Sequence, residues 1–310
     1  MGWNRLKLVL GAVLAAANVI LALYMQNMIR TADYLQTEEI DEMLSLLAED
    51  GIRVAENSVS AKKPELVIYE GQLGETYYSA AAKKLSGSNV SLSFNTPGGC
   101  VLTMEDGDRY AFFDGFGLRY ERQNAPDFLS TTSIEWEKLT PLEPASERAL
   151  TRTVNGYLSA YRRSSADPQS FFLVRMVLRC ALDPVSGIQY CLAVQSMRGA
   201  EIGNFQALFA VLDGEVIGVS GKWCFAELDT SYDAQLIDQV NILYSVKSII
   251  DEKRAAGADV PDGILSVSLG YTAYFRADTD IFYLIPVWNI RTNDDETIVI
   301  NAVDRTQRTE

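Results

Sequence analysis

An apolar run near the start of the chain, Leu8–Met25, constrains this sequence more than any other feature. Its 18 residues have one clearly polar member, Asn18. At ~1.5 Å rise per residue such a run nearly crosses a hydrocarbon core of ~30 Å, and flanking side chains can snorkel to complete the span. Arg5 and Lys7 precede it, and Asp33, Glu38 and Glu39 come after it. The positive-inside rule then keeps the N-terminus in the cytoplasm and sends the remainder outside. The expectation is a single-pass membrane protein with residues 1–30 as cytoplasmic N-terminus and anchor. A cleaved signal peptide is the competing reading, with Ala15-Ala16-Ala17 as small residues for cleavage, and a buried core helix is a third. The run continues through Val19-Ile20-Leu21-Ala22-Leu23, where a processed chain usually turns polar, and this favours the anchor.

The anchor also has a distinctive face. Gly11, Ala15, Asn18 and Ala22 are spaced by four, three and four, so a helix places them on one side. Small residues let a partner backbone approach in lipid, and an Asn there hydrogen-bonds across the interface for ~0.6 kcal/mol, up to ~1–2. Leu10, Leu14, Leu21 and Tyr24 lie largely elsewhere, toward lipid.

The chain beyond the anchor, about 280 of 310 residues, is ample for more than one core. A net charge of −14 disfavours nucleic acid and anionic lipid surfaces as partners. The chain has no histidine, which removes the commonest general base and metal ligand and excludes Ser-His-Asp and Cys-His catalysis within it. Four cysteines, Cys100, Cys180, Cys191 and Cys224, form no Cys-x-x-Cys motif. Cys180 and Cys191 flank Asp183-Pro184-Val185-Ser186-Gly187. If Asp183 pairs with Ile188, Cys180 falls opposite Cys191; a cross-strand disulfide and two small buried thiols are both compatible with that register.

Periodicity predicts an α+β chain. Thr37–Asp50 reads as a helix stopped by Gly51, Glu65–Tyr69 as a strand and Tyr77–Leu85 as a short helix. Val90–Phe94, Cys100–Met104, Tyr110–Phe113 and Gly117–Arg122, separated by turn clusters, predict an antiparallel meander. Pro141–Ser146 reads as a linker into a helix over Glu147–Arg163. Strands are expected at Phe171–Ala181, Ile188–Ser196, Gln206–Leu212 and Glu215–Val219, then a helix at Ala234–Ala255 and strands at Ile264–Phe275, Ile281–Ile290 and Thr297–Val303. The last two blocks share an element order. The expected architecture is therefore an N-terminal transmembrane helix followed by tandem two-layer units of a helix packed on an antiparallel sheet, divided as 31–140, 141–230 and 231–310. Pro286 cannot donate to a ladder, which places its strand at an edge or a bulge. Trp288 beside it is either an interface anchor or core, and Pro286 with Trp288 is the candidate ectodomain interface. Asp294-Asp295-Glu296 lacks calcium-loop spacing and reads as a solvated turn.

These residues resemble a family. Trp3, Lys7 and Asn18 in a short anchor, the Glu38–Leu47 helix followed by Gly51-Ile52-Arg53-Val54, and the ending Tyr283-Leu284-Ile285-Pro286-Val287-Trp288 with Ile300-Asn301-Ala302 are similar to the YycI proteins of Gram-positive bacteria. The closing strands are similar also to PepSY-type domains. Four cysteines depart from the family, where few or none are expected. The resemblance implies a non-enzymatic accessory regulator of the WalK–WalR (YycG–YycF) two-component system. Its partners would be the sensor histidine kinase and a YycH-like protein, with no cofactor, metal or small-molecule substrate. Two other classes remain open: a PepSY-like extracytoplasmic inhibitor or chaperone of a secreted peptidase, and a hydrolase using two carboxylates ~5–9.5 Å apart.

Overall fold

The structure, a computed structural model, describes residues 18, 37–55, 58–59, 66–72, 75–96, 98–113, 116–162, 173–197, 199–225, 228–276, 279–294 and 296–308. In chain order its elements are α1 (Thr37–Glu49), β1 (Arg53–Val54), β2 (Val67–Gln72), α2 (Glu75–Ser86), β3 (Val90–Thr96), β4 (Gly99–Met104), β5 (Arg109–Phe113) and β6 (Gly117–Glu121). Next come β7 (Thr140–Pro141), α3 (Pro144–Arg162), β8 (Leu173–Leu182), β9 (Gln189–Met197), β10 (Ala200–Leu212), β11 (Glu215–Lys222) and β12 (Leu228–Asp233). The chain closes with α4 (Gln239–Ala255), β13 (Gly263–Phe275), β14 (Ile281–Thr292), β15 (Thr297–Asn301) and β16 (Gln307–Arg308). Among the described residues the protein is thus a mixed α+β, sheet-dominated chain with four helices. None of those helices is long and apolar enough to cross a membrane, and the run Leu8–Met25 lies outside the described residues except Asn18, which is helical and exposed.

Two compact units are present. The first draws on the described parts of Met1–Leu66, Gln235–Ser268 and Trp288–Glu310, the second on Val67–Ala234 and Leu269–Val287. The sequence reading divides the chain at 140 and 230; the units are instead discontinuous, because strands far apart in sequence pair. β1 runs parallel to β13, with Arg53 opposite Gly263, and β2 runs antiparallel to β14, with Tyr283 opposite Glu70.

In the first unit α1 packs on α4. Met43 and Leu47 of α1 are fully buried, as are Ile242, Leu243, Val246 and Ile250 of α4, at the three- and four-residue spacing of a helix face. Gly51 ends α1 at φ +81°, where an L side chain is strained, and Ile52 N–H closes on Leu47 O at 2.9 Å. α4 begins later than periodicity alone indicates because Asp238 caps it, accepting from Asn241 N–H at 2.9 Å. Lys247 joins Asp50 at 2.6 Å to Asp251 at 2.7 Å, tying the turn after α1 to α4.

In the second unit β3–β4–β5–β6 form the expected meander, each antiparallel to the next. β6 pairs with β11 and β11 with β10. One edge of β10 is paired with β9; its other edge is divided between β13 at Glu201–Ile202 and β11 at Ala207–Leu212. Residues 125–139 cover one face of β9–β10–β11: Phe128, Leu129, Ile134, Trp136 and Leu139 pack on Ile188, Tyr190, Leu208, Ala210 and Ile217. Gly221 of β11 stands opposite Ala207 of β10. Its φ of +142° disfavours any other residue, and a Cβ there would collide with the Gln206 carbonyl oxygen. Gly221→Ala is therefore expected to destabilise the protein by about 1–3 kcal/mol, read as a lowered denaturation midpoint at unchanged slope.

Candidate functional site

A polar concavity lies wholly in the second unit, and one wall of it is built from a turn. β4 and β5 are joined by Glu105–Asp108, closed by Gly107 N–H on Met104 O at 3.0 Å and Met104 N–H on Asp108 O at 2.8 Å. Gly107 takes φ +89°. This folds Asp106 and Asp108 toward the end of the meander with every carboxylate oxygen occupied. Asp106 accepts from Asp108 N–H (3.1 Å) and Ser88 Oγ (3.0 Å). Asp108 accepts from Gln123 N–H (2.9 Å) and Tyr120 Oη (2.7 Å).

Tyr120 arrives by register. It sits opposite Tyr110 across β5–β6, and the two rings lie 4.7 Å apart. From α3, Tyr157 places its ring 5.6 Å from Tyr120 and its hydroxyl 3.4 Å from that of Tyr110. Tyr120, Tyr157 and Asp108 line a cleft of about 570 Å³ together with Arg122, Gln123, Thr153 and Glu215, and Tyr110 is buried beside Tyr120. Thr153 stands one helical turn before Tyr157, and Glu215 comes directly after the Asp213-Gly214 hairpin. Arg122 pairs with Glu215, which holds the guanidinium charged; both side chains are largely exposed, so the pair adds little stability.

Burial, above all other causes, pushes the Tyr110, Tyr120 and Tyr157 hydroxyls above the ordinary tyrosine range. For Tyr120 the hydrogen bond to Asp108 adds to this, and for Tyr157 the neighbouring hydroxyls do. All three therefore stay protonated at neutral pH; Tyr120 donates to Asp108, and Tyr110 and Tyr157 share one hydrogen bond between their hydroxyls. The cleft offers fixed donors and acceptors, three carboxylates and one paired cation. That chemistry suits recognition of a polar ligand. Among the described residues no three of His, Cys, Asp or Glu are grouped to hold a metal.

The anchor residues Gly11, Ala15 and Ala22 lie outside the described residues, so the face they share with Asn18 has no structural description. Pro286 and Trp288 are found, and not as an edge. β14 is flanked by β2 and β13, and Pro286 lies just past Leu284, the last residue registered with β2, where a missing N–H removes nothing from that ladder. Trp288 is 2% exposed, and its indole N–H donates to Ile237 O at 2.9 Å, which makes it core of the first unit. The expectation of an exposed interface at these two residues is corrected accordingly. Cys180 does stand opposite Cys191 in the β8–β9 hairpin, and both are thiols. Thr292 N–H bonds Glu296 O at 2.9 Å, consistent with the turn reading there.

The cleft has no signature in the sequence. Asp106-Gly107-Asp108 reads as a turn, and two tyrosines ten residues apart show no periodic signal until the β5–β6 register stacks them.

No family model and no curated protein matches the chain. Two solved structures are similar at 10% identity. One is an uncharacterized protein from Eubacterium rectale, with a TM-score of 0.42 over 84% of this chain and 90% of that one. The other is the C-terminal domain of Bacillus megaterium YpeB, with a TM-score of 0.33 over 77% and 97%. Both scores fall below 0.5, and the fold assignment rests on the strand pairing above.

The tyrosines carry a pH prediction. Their folded pKa values exceed the unfolded value near ~10, so their contribution to stability is complete below about pH 10. Above that, the unfolded chain loses protons that the native state keeps, and stability falls as pH rises. Denaturant midpoints between pH 8 and 11 are expected to decline less in Tyr157→Phe than in the parent. A second expectation is that Asp108→Ala leaves the Tyr120 hydroxyl without its acceptor and costs about 1–3 kcal/mol in the same assay.

Proposed function

We propose that this chain is a membrane-anchored, non-enzymatic regulator of a cell-wall sensor histidine kinase, acting with a YycH-like partner through its anchor helix and its extracytoplasmic region. The observation that carries the reading is the apolar run Leu8–Met25 behind Arg5 and Lys7, with Gly11, Ala15, Asn18 and Ala22 on one helix face. The resemblance of both chain ends to YycI proteins supports it. So does the cleft around Asp108, whose protonated tyrosines and engaged carboxylates are arranged for binding. The tandem-unit architecture belongs to the same reading, and its support is element order: α3 precedes β8–β9–β10 as α4 precedes β13–β14–β15.

The second reading, a PepSY-like inhibitor or chaperone of a secreted peptidase, draws on the closing strands, which form β14 and β15. The anchor separates the two. Exchange of Leu8–Met25 for an unrelated span is expected to abolish kinase regulation, whereas peptidase inhibition would survive it.

A photoreactive residue at position 18 in the native host is expected to capture a sensor kinase or a YycH-like protein. The same probe at Leu21, on another face, is expected to lose that capture. Recovery of lipid alone from both positions, or of a mature chain lacking the anchor, would sink the regulator reading.

A further inference from the structure

The β8–β9 hairpin holds a reactive pair. Asp183 N–H donates to Ile188 O at 2.9 Å, which marks that pair as hydrogen-bonded. Leu182–Gln189, Ala181–Tyr190 and Cys180–Cys191 come next in unbroken register. Antiparallel pairs alternate, so the third step from Asp183–Ile188 is a non-hydrogen-bonded pair. Such pairs set Cα atoms ~4.5 Å apart with side chains on the same face. Disulfides span Cα separations of ~4.4–6.8 Å, so the backbone need not move to bridge these two sulfurs.

The two thiols are also unequal. Cys191 is completely buried, while Cys180 is partly exposed. The Cys180 thiol is hydrogen-bonded to Cys191; that bond, then burial, pushes the Cys191 thiol above the ordinary range. One sulfur is thus open to an incoming reagent, and the other waits behind it. The turn between them is hydrogen-bonded: Asp183 accepts from Val185 N–H at 2.9 Å and from Ser186 Oγ at 2.6 Å.

We propose that Cys180 and Cys191 are a site of disulfide formation, with Cys180 as the entry sulfur and a small-molecule or protein disulfide as the oxidant. The Cys180 thiolate attacks one sulfur of the oxidant, breaks its S–S bond and expels one thiolate. The Cys191 sulfur then attacks that of Cys180, and its proton passes to the departing thiolate. The mixed disulfide breaks and the second thiolate leaves. Two protein thiols are oxidised by two electrons, and one disulfide is reduced to two thiols. The product closes the hairpin covalently across the turn at 183–188.

The site stands on the hairpin alone. Only its state in the cell depends on the proposed extracytoplasmic placement, since disulfides persist in oxidising compartments. The full chain, purified reduced in mild detergent, is therefore treated with excess glutathione disulfide, then denatured and alkylated for thiol counting and peptide mapping. Expected are a fall from four thiols to two, a mass loss of two hydrogens, and a cross-linked peptide joining Cys180 to Cys191. Cys180→Ser is expected to abolish that cross-link and to leave Cys191 unmodified in the folded protein. Four remaining thiols, a stable glutathione adduct on Cys180, or a cross-link through Cys100 or Cys224 would overturn the proposal. Alkylation of intact cells before lysis gives the separate answer. Thiols in the cell combined with a cross-link in vitro would leave the site standing and overturn the extracytoplasmic placement.

Discussion

The second unit depends on the commitment of β10. Ala207, Leu208, Phe209, Ala210 and Val211 are almost completely buried, so the backbone groups between them have no access to water. An unpaired buried amide is costly, and β10 avoids that cost by pairing on both edges through this stretch, to β9 and to β11. The arrangement fixes what neighbours must do. Gly221 is required because β11 approaches the β10 backbone too closely for a side chain. The residues 125–139 must lie over the sheet because Leu208, Ala210 and Ile217 present an apolar face that needs cover.

The cleft inherits its geometry from this strand. β10 turns at Asp213-Gly214 into β11, which delivers Glu215; β11 pairs with β6, which delivers Tyr120 and, just beyond its end, Arg122. β6 pairs with β5, which sets Tyr110 beside Tyr120. Asp108 then closes the set by accepting from a side chain and a backbone group at once. The groups in the cleft are positioned by paired strands, by the hydrogen-bonded turn at 104–108 and by α3. Such preorganisation lowers what a ligand must supply to order the site.

Much of the element order was legible, and for local reasons. Turn clusters with Gly and Asp at 106–107 and 213–214 announce hairpins through backbone chemistry alone, and α4 shows its buried face in a spacing of threes and fours. The opposition of Cys180 and Cys191 follows from one tight turn and a period of two. The features that escaped were non-local or polar. Leu228–Asp233 is too polar to read as a strand, yet it pairs along β2. Nothing in Val67–Gln72 points to β14, more than two hundred residues away, and that pairing is why β14 is no edge there. The cleft escaped for the same reason: its tyrosines and carboxylates converge only through register between strands and the placement of α3.

The parallel pairing of β1 with β13 has a consequence for the order of events during synthesis. Arg53 leaves the ribosome well before its partner Gly263. At ~5–20 residues per second, the interval of about 210 residues lasts roughly 10–40 s. Through that time the Met43–Leu47 face of α1 has no α4 to cover it, since α4 is made only shortly before β13. The second unit also lacks strands until Leu269–Val287 emerge. Neither unit can be completed from a contiguous stretch of chain, so neither core closes until β13 and β14 have been made. Until then the buried face of α1 lacks the α4 side chains that cover it in the folded protein.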